Sequence, residues 1–180
     1  MGMSQEMEVL TSHDSQDWLT PPFYIELVRE VLGEIDLDPA SHPVSQEWIK
    51  AKECWTSKGL ESLWDIGDRT RVFCNPPYGK TGSKSNQGLW SMFMHIEYSY
   101  KRIEEGILLI NSTHGYSWYE DIWRLYPCCL LRERIKFLYP WNGEALESGQ
   151  AKKGQTLVYF GDNIRKFNNV FKSHGRIILP

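Results

Sequence analysis

The tetrapeptide Asn75-Pro76-Pro77-Tyr78 is the segment of this 180-residue chain whose residue types are best suited to chemistry. It follows a short apolar run, 72–74, and must leave that predicted strand because proline cannot donate to a sheet ladder. Ligands bind at the carboxyl ends of strands in open α/β sheets. A rigid turn is the alternative, but it leaves the asparagine and the tyrosine unexplained. We therefore predict a binding site for a planar, amino-bearing group at this strand end.

The chemistry that this segment suits is activation of an exocyclic amine, whose lone pair is delocalised into the aromatic ring. The Asn75 side-chain oxygen and the Pro76 carbonyl supply two acceptors for the amine, and the Tyr78 ring supplies a surface on which a base can stack. Hydrogen bonds to both N–H groups favour a tetrahedral nitrogen and free the lone pair, which stabilises the transition state electrostatically. A base treated in this way must first leave the duplex stack.

Two further segments lie where a second ligand could bind. Residues 36–41 (Asp-Leu-Asp-Pro-Ala-Ser) end another predicted strand; alone they favour an Asx turn before proline. Paired with the first segment, Asp38 becomes a candidate holder of a cofactor's cationic amino group. Residues 17–22 (Asp-Trp-Leu-Thr-Pro-Pro) open a predicted helix, whose N-terminus can receive a carboxylate, the alternative being an ordinary helix cap by Thr20.

Short apolar strands that alternate with helices position these segments. Apolar spacing predicts strands at 35–38, 71–74, 107–110, 130–137 and 156–160, and helices at 20–33, 89–103 and 116–125. This order predicts an α/β fold with a mostly parallel sheet covered on both faces, in which the last two strands form an antiparallel hairpin at one edge. We expect a flexible tail over 1–16, a single domain over 17–180, and a mobile polar loop over 79–88.

The distribution of charge is more informative than its total. Lys and Arg number 20 and Asp and Glu 23, and this net charge of -3 disfavours a nucleic-acid-binding protein. Residues 1–70 carry -9, however, and residues 71–180 carry +6, an asymmetry that hints at nucleic-acid contact. The alternative is that one domain brings both halves together and their fields largely cancel. The candidate DNA-binding residues are Lys80, Lys84, Arg134 and Lys136.

Cysteine, histidine and hydropathy patterns exclude several classes of protein. The four cysteines have no CxxC spacing and the five histidines no ligand spacing, so we predict neither a disulfide framework nor a metal site. No apolar run approaches 18 residues, and the first residues lack a signal-peptide core. We expect a protein of the cytoplasm, that of the host if the chain is phage-encoded, with no membrane partner.

In combination these segments resemble the phage-type DNA N-6-adenine methyltransferases, which use S-adenosylmethionine. The resemblance runs from about residue 17 to residue 160. Its pieces are 17–22, 36–41, Trp55-Thr56 with Gly59-Leu60, 72–78, Leu109-Ile110-Asn111, Trp118 and 134–137. The Asn-Pro-Pro-Tyr tetrapeptide is shared with many amino-methyltransferases, whereas its combination with the Asp-Pro-Ala and Thr-Pro-Pro segments is much more selective.

The resemblance implies a seven-stranded Rossmann-like core of the class I methyltransferase kind. This sequence departs from the broader methyltransferase pattern because it lacks a glycine-rich turn after Asp38, and the short spacing after Ser41 predicts a sheet that is abbreviated in the middle. It implies that S-adenosylmethionine is bound by Trp18, Thr20, Pro21, Asp38, Pro39, Ala40, Ser41 and Asn75. It also implies that Asn75, Pro76, Pro77 and Tyr78 hold a flipped adenine in DNA. The family's acidic residue for the cofactor ribose is not placed by the sequence, and Glu53 and Asp65 are candidates for it.

The motif leaves several functions open beside adenine N6 methylation. Cytosine N4, RNA and protein-glutamine methylation each present a planar amino group to the same acceptors. A non-catalytic DNA-binding module on the same fold is a rival from another class, favoured by the compressed middle and the missing glycine turn. The recognition sequence, the oligomeric state and the biological role have no signal in the sequence.

Overall fold

The computed structural model describes residues 18–148 and 151–180. The predicted tail over 1–16 and Asp17 lie outside the described residues. The helices are α1 (Pro22–Leu32), α2 (Gln46–Ile49), α3 (Asn86–Ser99), α4 (Ser117–Leu125) and α5 (Ile164–Phe171). The strands are β1 (Leu37–Asp38), β2 (Glu53–Cys54), β3 (Arg71–Cys74), β4 (Lys80–Thr81), β5 (Lys84–Ser85), β6 (Glu105–Asn111), β7 (Cys128–Leu131), β8 (Leu138–Trp141), β9 (Glu144–Glu147), β10 (Gln155–Phe160) and β11 (Gly175–Ile178).

One sheet organises this part of the chain. Within the described residues it has seven strands in the order β11-β7-β10-β6-β3-β1-β2. Strands β2, β1, β3 and β6 are parallel, and β7 shares their direction because β10 lies antiparallel between β6 and β7. Only β10 and β11 run the other way. The predicted α/β fold with a mostly parallel sheet is therefore confirmed, and the order is compatible with a Rossmann-like fold.

Both faces of the sheet are buried under helices. Successive side chains of a strand point to opposite faces, so Ile107 and Leu109 of β6 join one core and Leu108 and Ile110 join the other. Helices α1 and α5 cover the first face, while α3 and α4 cover the second. This covering explains why the central strands are apolar throughout rather than alternating, as expected for parallel sheets.

The antiparallel end of the sheet differs from the predicted hairpin. Strands β7 and β10 do pair antiparallel, but β10 lies inside the sheet and β11 forms the edge. All six residues of β10 are buried, as expected for a strand that has a neighbour on each side. The predicted strand 130–137 in fact ends at Leu131, after which the chain crosses the sheet end and buries Ile135 and Phe137. The separate hairpin β8–β9 follows.

Two predicted helix starts are also wrong. Helix α1 begins at Pro22 with Pro21 as its N-cap residue, and Thr20 makes no capping hydrogen bond. The cause is Leu19, which forms an antiparallel bridge with Leu138 and so holds Thr20 at the sheet end. Helix α3 begins at Asn86, three residues before the predicted start. The segment 79–88, predicted to be a mobile polar loop, contains the hairpin β4–β5 and the first three residues of α3.

The middle of the chain is short, and it depends on one close contact. Between Ser41 and Arg71 the described elements are a 3₁₀ turn, α2 and the two-residue β2. The segment after β2 folds back so closely that a Cβ atom at Gly59 would lie 2.2 Å from the Pro39 oxygen and 2.4 Å from the Trp90 ring. Glycine is thus required at position 59 by the approach of two chain segments.

We expect Gly59→Ala to destabilise the protein by about 1–3 kcal/mol, the usual cost of overpacking. For a domain of this size that cost lowers the melting temperature by roughly 2–12 °C. Gly67→Ala is the matched control, because a Cβ there meets nothing within 4 Å. Thermal unfolding of both variants provides the measurement. Equal melting temperatures for the two variants would contradict the proposed contact.

Candidate functional site

Three chain turns meet at the carboxyl end of the parallel strands. Strands β1 and β3 are paired neighbours, so the turns that follow Asp38 and Cys74 leave the sheet side by side. The bridge between Leu19 and Leu138 brings residues 18–20 to the same edge. A cavity of about 150 Å³ lies between these three turns and residues 56–59, which were brought there by the close approach at Gly59.

Most of the residues predicted for the site line this cavity. They are Trp18, Thr20, Asp38, Pro39, Ala40, Ser41, Asn75, Pro76 and Pro77. Pro21, Tyr78 and both candidates for the ribose, Glu53 and Asp65, are absent from its wall. The wall also includes residues for which we predicted no role: Leu19, His42, Ser45, Ile49, Ser57, Lys58, Phe73 and Trp90. Among the additional lining residues, Thr56, Gly59 and Phe73 lie in segments that carry the family resemblance.

The Asp38 carboxylate is buried in this wall without a cation. Asp38 is only 2% exposed, and its carboxylate accepts hydrogen bonds from the Ala40 N–H (3.3 Å) and the Gln46 amide (2.9 Å). None of the ion pairs formed by the described residues includes it. Burial therefore raises the pKa of Asp38 to about 7, and the hydrogen bonds from Ala40, Ser41 and Gln46 offset only part of that effect.

Asp36, two residues earlier, shows the opposite behaviour. Burial disfavours its charge, but hydrogen bonds from Arg71 and Lys52 outweigh burial and lower the pKa of Asp36. The Arg71 Nε and Lys52 Nζ atoms both lie 2.7 Å from its carboxylate oxygens. Among the described residues, ion pairs therefore reach the aspartate at the amino end of β1 and not the aspartate at its carboxyl end. Asp38 is the group that a cationic ligand would complete.

The Asn75 side chain is fixed in one orientation. Its amide nitrogen donates to the Trp18 carbonyl over 2.6 Å. Because that carbonyl can only accept, the Asn75 oxygen must face the other way. The oxygen is buried and has no hydrogen-bond partner among the described residues. An unpaired buried acceptor costs roughly 1–3 kcal/mol, so this position favours a ligand that brings an N–H donor.

Two hydroxyl groups near this site are also without partners. The Thr20 hydroxyl oxygen is buried in the cavity wall, and it neither donates nor accepts a hydrogen bond among the described residues. The Tyr78 hydroxyl is likewise buried and unpaired, and burial raises its pKa, so that it keeps its proton. The Tyr78 ring packs edge-on against Phe137 with the centroids 5.9 Å apart. This ring therefore lies beside the cavity and does not face into it.

The predicted DNA-binding cations surround the same end of the sheet. Lys80 and Lys84 are exposed on the hairpin that begins two residues after Tyr78. Arg134 and Lys136 are exposed on either side of the buried Ile135, in the segment that leads to the bridge at Leu138. None of the four forms an ion pair with another described residue. Their charges are free to meet an anionic ligand.

Comparison with known proteins gives no family for this chain. No family model, no curated protein and no solved structure matches it. In the part of the chain that the structure describes, no helix combines the length and the apolar composition that crossing a membrane requires. The assignment of function therefore depends on the site itself.

We expect Asp38→Asn to change how stability depends on pH. Between pH 3.8 and about 7 the folded protein binds more protons at Asp38 than the unfolded chain, so stability declines as the pH rises through this window. The decline amounts to at most about 4 kcal/mol, because one pKa unit corresponds to 1.36 kcal/mol. Urea unfolding at pH 5 and pH 8 should show that wild-type protein loses more stability than the asparagine variant.

Asp36→Asn is the matched control for that measurement. The lowered pKa of Asp36 contributes stability above the unfolded pKa of 3.8, and this contribution is lost as the pH falls. The control variant should therefore be less stable than wild type at pH 7. Stability curves that run parallel for wild type and Asp38→Asn would show that Asp38 is already compensated within the protein.

Proposed function

We propose that this protein transfers a methyl group from S-adenosylmethionine to the N6 amino group of adenine in DNA. The observation that carries the proposal is that one cavity wall contains two buried polar groups, each of which lacks a partner of a different kind. The Asn75 oxygen lacks a donor, and the Asp38 carboxylate lacks a cation. One group fits an amine to be methylated and the other fits the ammonium group of an amino-acid-like cofactor.

The residues in the wall fit S-adenosylmethionine. Asp38 would hold its ammonium group, and the turn 39–41 together with Trp18 and Thr20 would hold the remainder. The unpaired Thr20 hydroxyl offers one more hydrogen bond to such a ligand. When bound, the cofactor supplies an electrophilic methyl group on a sulfonium centre. The seven-stranded, mostly parallel sheet is compatible with the class I methyltransferase fold that the resemblance implies.

The role proposed for Asn75 is to accept a hydrogen bond from the target amine. The Trp18 carbonyl keeps the Asn75 oxygen in place before the substrate arrives, so no reorganisation is needed during the reaction. The Pro76 carbonyl is the proposed second acceptor. Proline brings no N–H group that would compete for the Asn75 oxygen. Tyr78 is the proposed stacking residue, and to fill that role its ring has to turn from Phe137 toward the base.

The choice of DNA adenine over other planar amines depends on the resemblance and on the four unpaired cations. Cytosine N4, RNA and protein-glutamine remain substrates that the same acceptors fit. Incubation of duplex DNA with protein and methyl-labelled cofactor, followed by digestion to nucleosides, separates these cases. Label in N6-methyladenine supports the proposal. Label in another nucleoside, or none in DNA, contradicts it.

We expect Asn75→Ala to lower methyl transfer at least a hundredfold, because loss of one preorganised transition-state hydrogen bond costs about that much. Its cofactor affinity, measured by calorimetric titration, should change less than tenfold. Asp38→Asn should show the converse pattern, with most of the loss in cofactor affinity. Equal losses of turnover and affinity in Asn75→Ala would show that its role is misassigned.

We expect the double variant Lys80→Ala/Lys84→Ala to bind duplex DNA more weakly and with less dependence on salt. Each phosphate contact that is lost should reduce the slope of log K against log salt by about 0.9. Fluorescence anisotropy over a KCl series gives this slope. Lys166→Ala is the control, since this exposed lysine lies on α5, which follows β10 at the opposite end of the sheet. An unchanged slope in the double variant would exclude the hairpin from the DNA interface.

A further inference from the structure

The first turn of α3 connects the ends of two neighbouring strands. Asn86 donates its side-chain N–H to the carbonyl oxygen of Tyr78 (3.1 Å), which follows β3. Gln87 accepts a hydrogen bond from the Asn111 N–H at the end of β6 (3.1 Å). These two contacts place the start of α3 against the sheet edge that carries Asn75.

The Gln87 amide has a fixed polarity. Gln87 is only 4% exposed, and its oxygen is engaged by the Asn111 N–H. Its nitrogen must therefore face away from that group, and it has no hydrogen-bond partner among the described residues. Trp90, three residues later and so on the same side of the helix, lines the cavity. Gln87 itself is not part of the cavity wall, but it is a buried donor without an acceptor among the described residues, on the side of the helix that carries Trp90.

A second donor near this helix start is also unsatisfied. The Trp118 ring of α4 lies against Gly88, where a Cβ atom would be 3.0 Å from the ring. The Trp118 indole N–H is buried and has no partner among the described residues. The sheet edge therefore carries an unpaired acceptor after β3 and unpaired donors beside the end of β6. Such an arrangement is complementary to a ligand that presents a donor next to an acceptor.

We infer that Gln87 donates a hydrogen bond to the ring nitrogen N1 of the target adenine while Asn75 accepts one from its N6 amino group. This inference rests on the proposed function and assigns the base-recognising half of the same site. An adenine presents an amino donor beside the N1 acceptor. Thymine and guanine present a carbonyl acceptor beside an N–H donor. In this site their carbonyl would face the Asn75 oxygen, which is also an acceptor, and their N–H would face the Gln87 donor. Cytosine presents an amino donor beside its N3 acceptor as adenine does, so Gln87 is a specificity-determining residue against thymine and guanine and does not by itself separate adenine from cytosine.

The test compares three duplexes of one sequence, with ordinary adenine, 1-deazaadenine or 7-deazaadenine throughout. The 1-deaza base lacks only the N1 acceptor, and the 7-deaza base is the matched control for loss of a different ring nitrogen. We expect wild-type kcat/KM to fall at least tenfold on the 1-deaza duplex and much less on the 7-deaza duplex. Gln87→Met should show the same loss on ordinary DNA and no further loss on the 1-deaza duplex.

Gln87→Glu is a second variant that keeps the proposal testable if Gln87→Met does not fold. Glutamate keeps an acceptor for the Asn111 N–H but places an acceptor where the donor stood, so it should be slower than Gln87→Met on ordinary adenine. Equal wild-type rates on the adenine and 1-deaza duplexes, or a 1-deaza loss that persists in Gln87→Met, would overturn the inference and leave the proposed function standing. No methyl transfer by wild type to ordinary DNA would overturn the proposed function, and the inference with it.

Discussion

The buried carboxylate of Asp38 is the constraint around which the rest of the site is arranged. A carboxylate that is taken out of water must either pair with a cation or become neutral, and becoming neutral requires a raised pKa. Asp38 has the raised pKa and no ion-pair partner among the described residues, although Lys52 and Arg71 pair with Asp36, which directly precedes the same strand. The fold thus keeps a destabilising group at the carboxyl end of β1. Strain of this kind is typical of positions reserved for ligands.

The backbone around Asp38 shows how the fold keeps that position dry and open. Pro39 follows the carboxylate and brings no N–H group to neutralise it. Gly59 lets residues 56–59 pack over the Pro39 carbonyl, which closes one side of the cavity without filling it. The Asn75 amide nitrogen is held by the Trp18 carbonyl, and the Asn75 oxygen has no hydrogen-bond partner among the described residues.

The parts of the fold that could be predicted from the sequence are those with a local cause. Strand β3 has its predicted bounds, because two prolines end an apolar run. The position of β10 could not be predicted, since a buried strand has the same apolar pattern whichever neighbours it pairs with. The Thr20 cap was wrong because the bridge between Leu19 and Leu138, distant in sequence, overrides the local preference. Gln87 was missed for the same reason: its partner, Asn111, is set by tertiary contact.

In the described part of the chain, charged residues form ion pairs at one end of the sheet and stay without ion-pair partners at the other. At the amino end, acidic and basic residues pair with each other across the two halves of the chain, as Arg71 does with Asp36 and Arg69 with Glu104. Of these two bases only Arg71 belongs to residues 71–180 and pairs with an acid of residues 1–70, so ion pairing removes little of the charge asymmetry that the sequence shows. At the carboxyl end, neither Asp38 nor Lys80 has a charged partner among the described residues. The net charge of -3 is a sum over the whole chain, whereas the proposed binding of cofactor and DNA would depend on the unpaired groups at the carboxyl end.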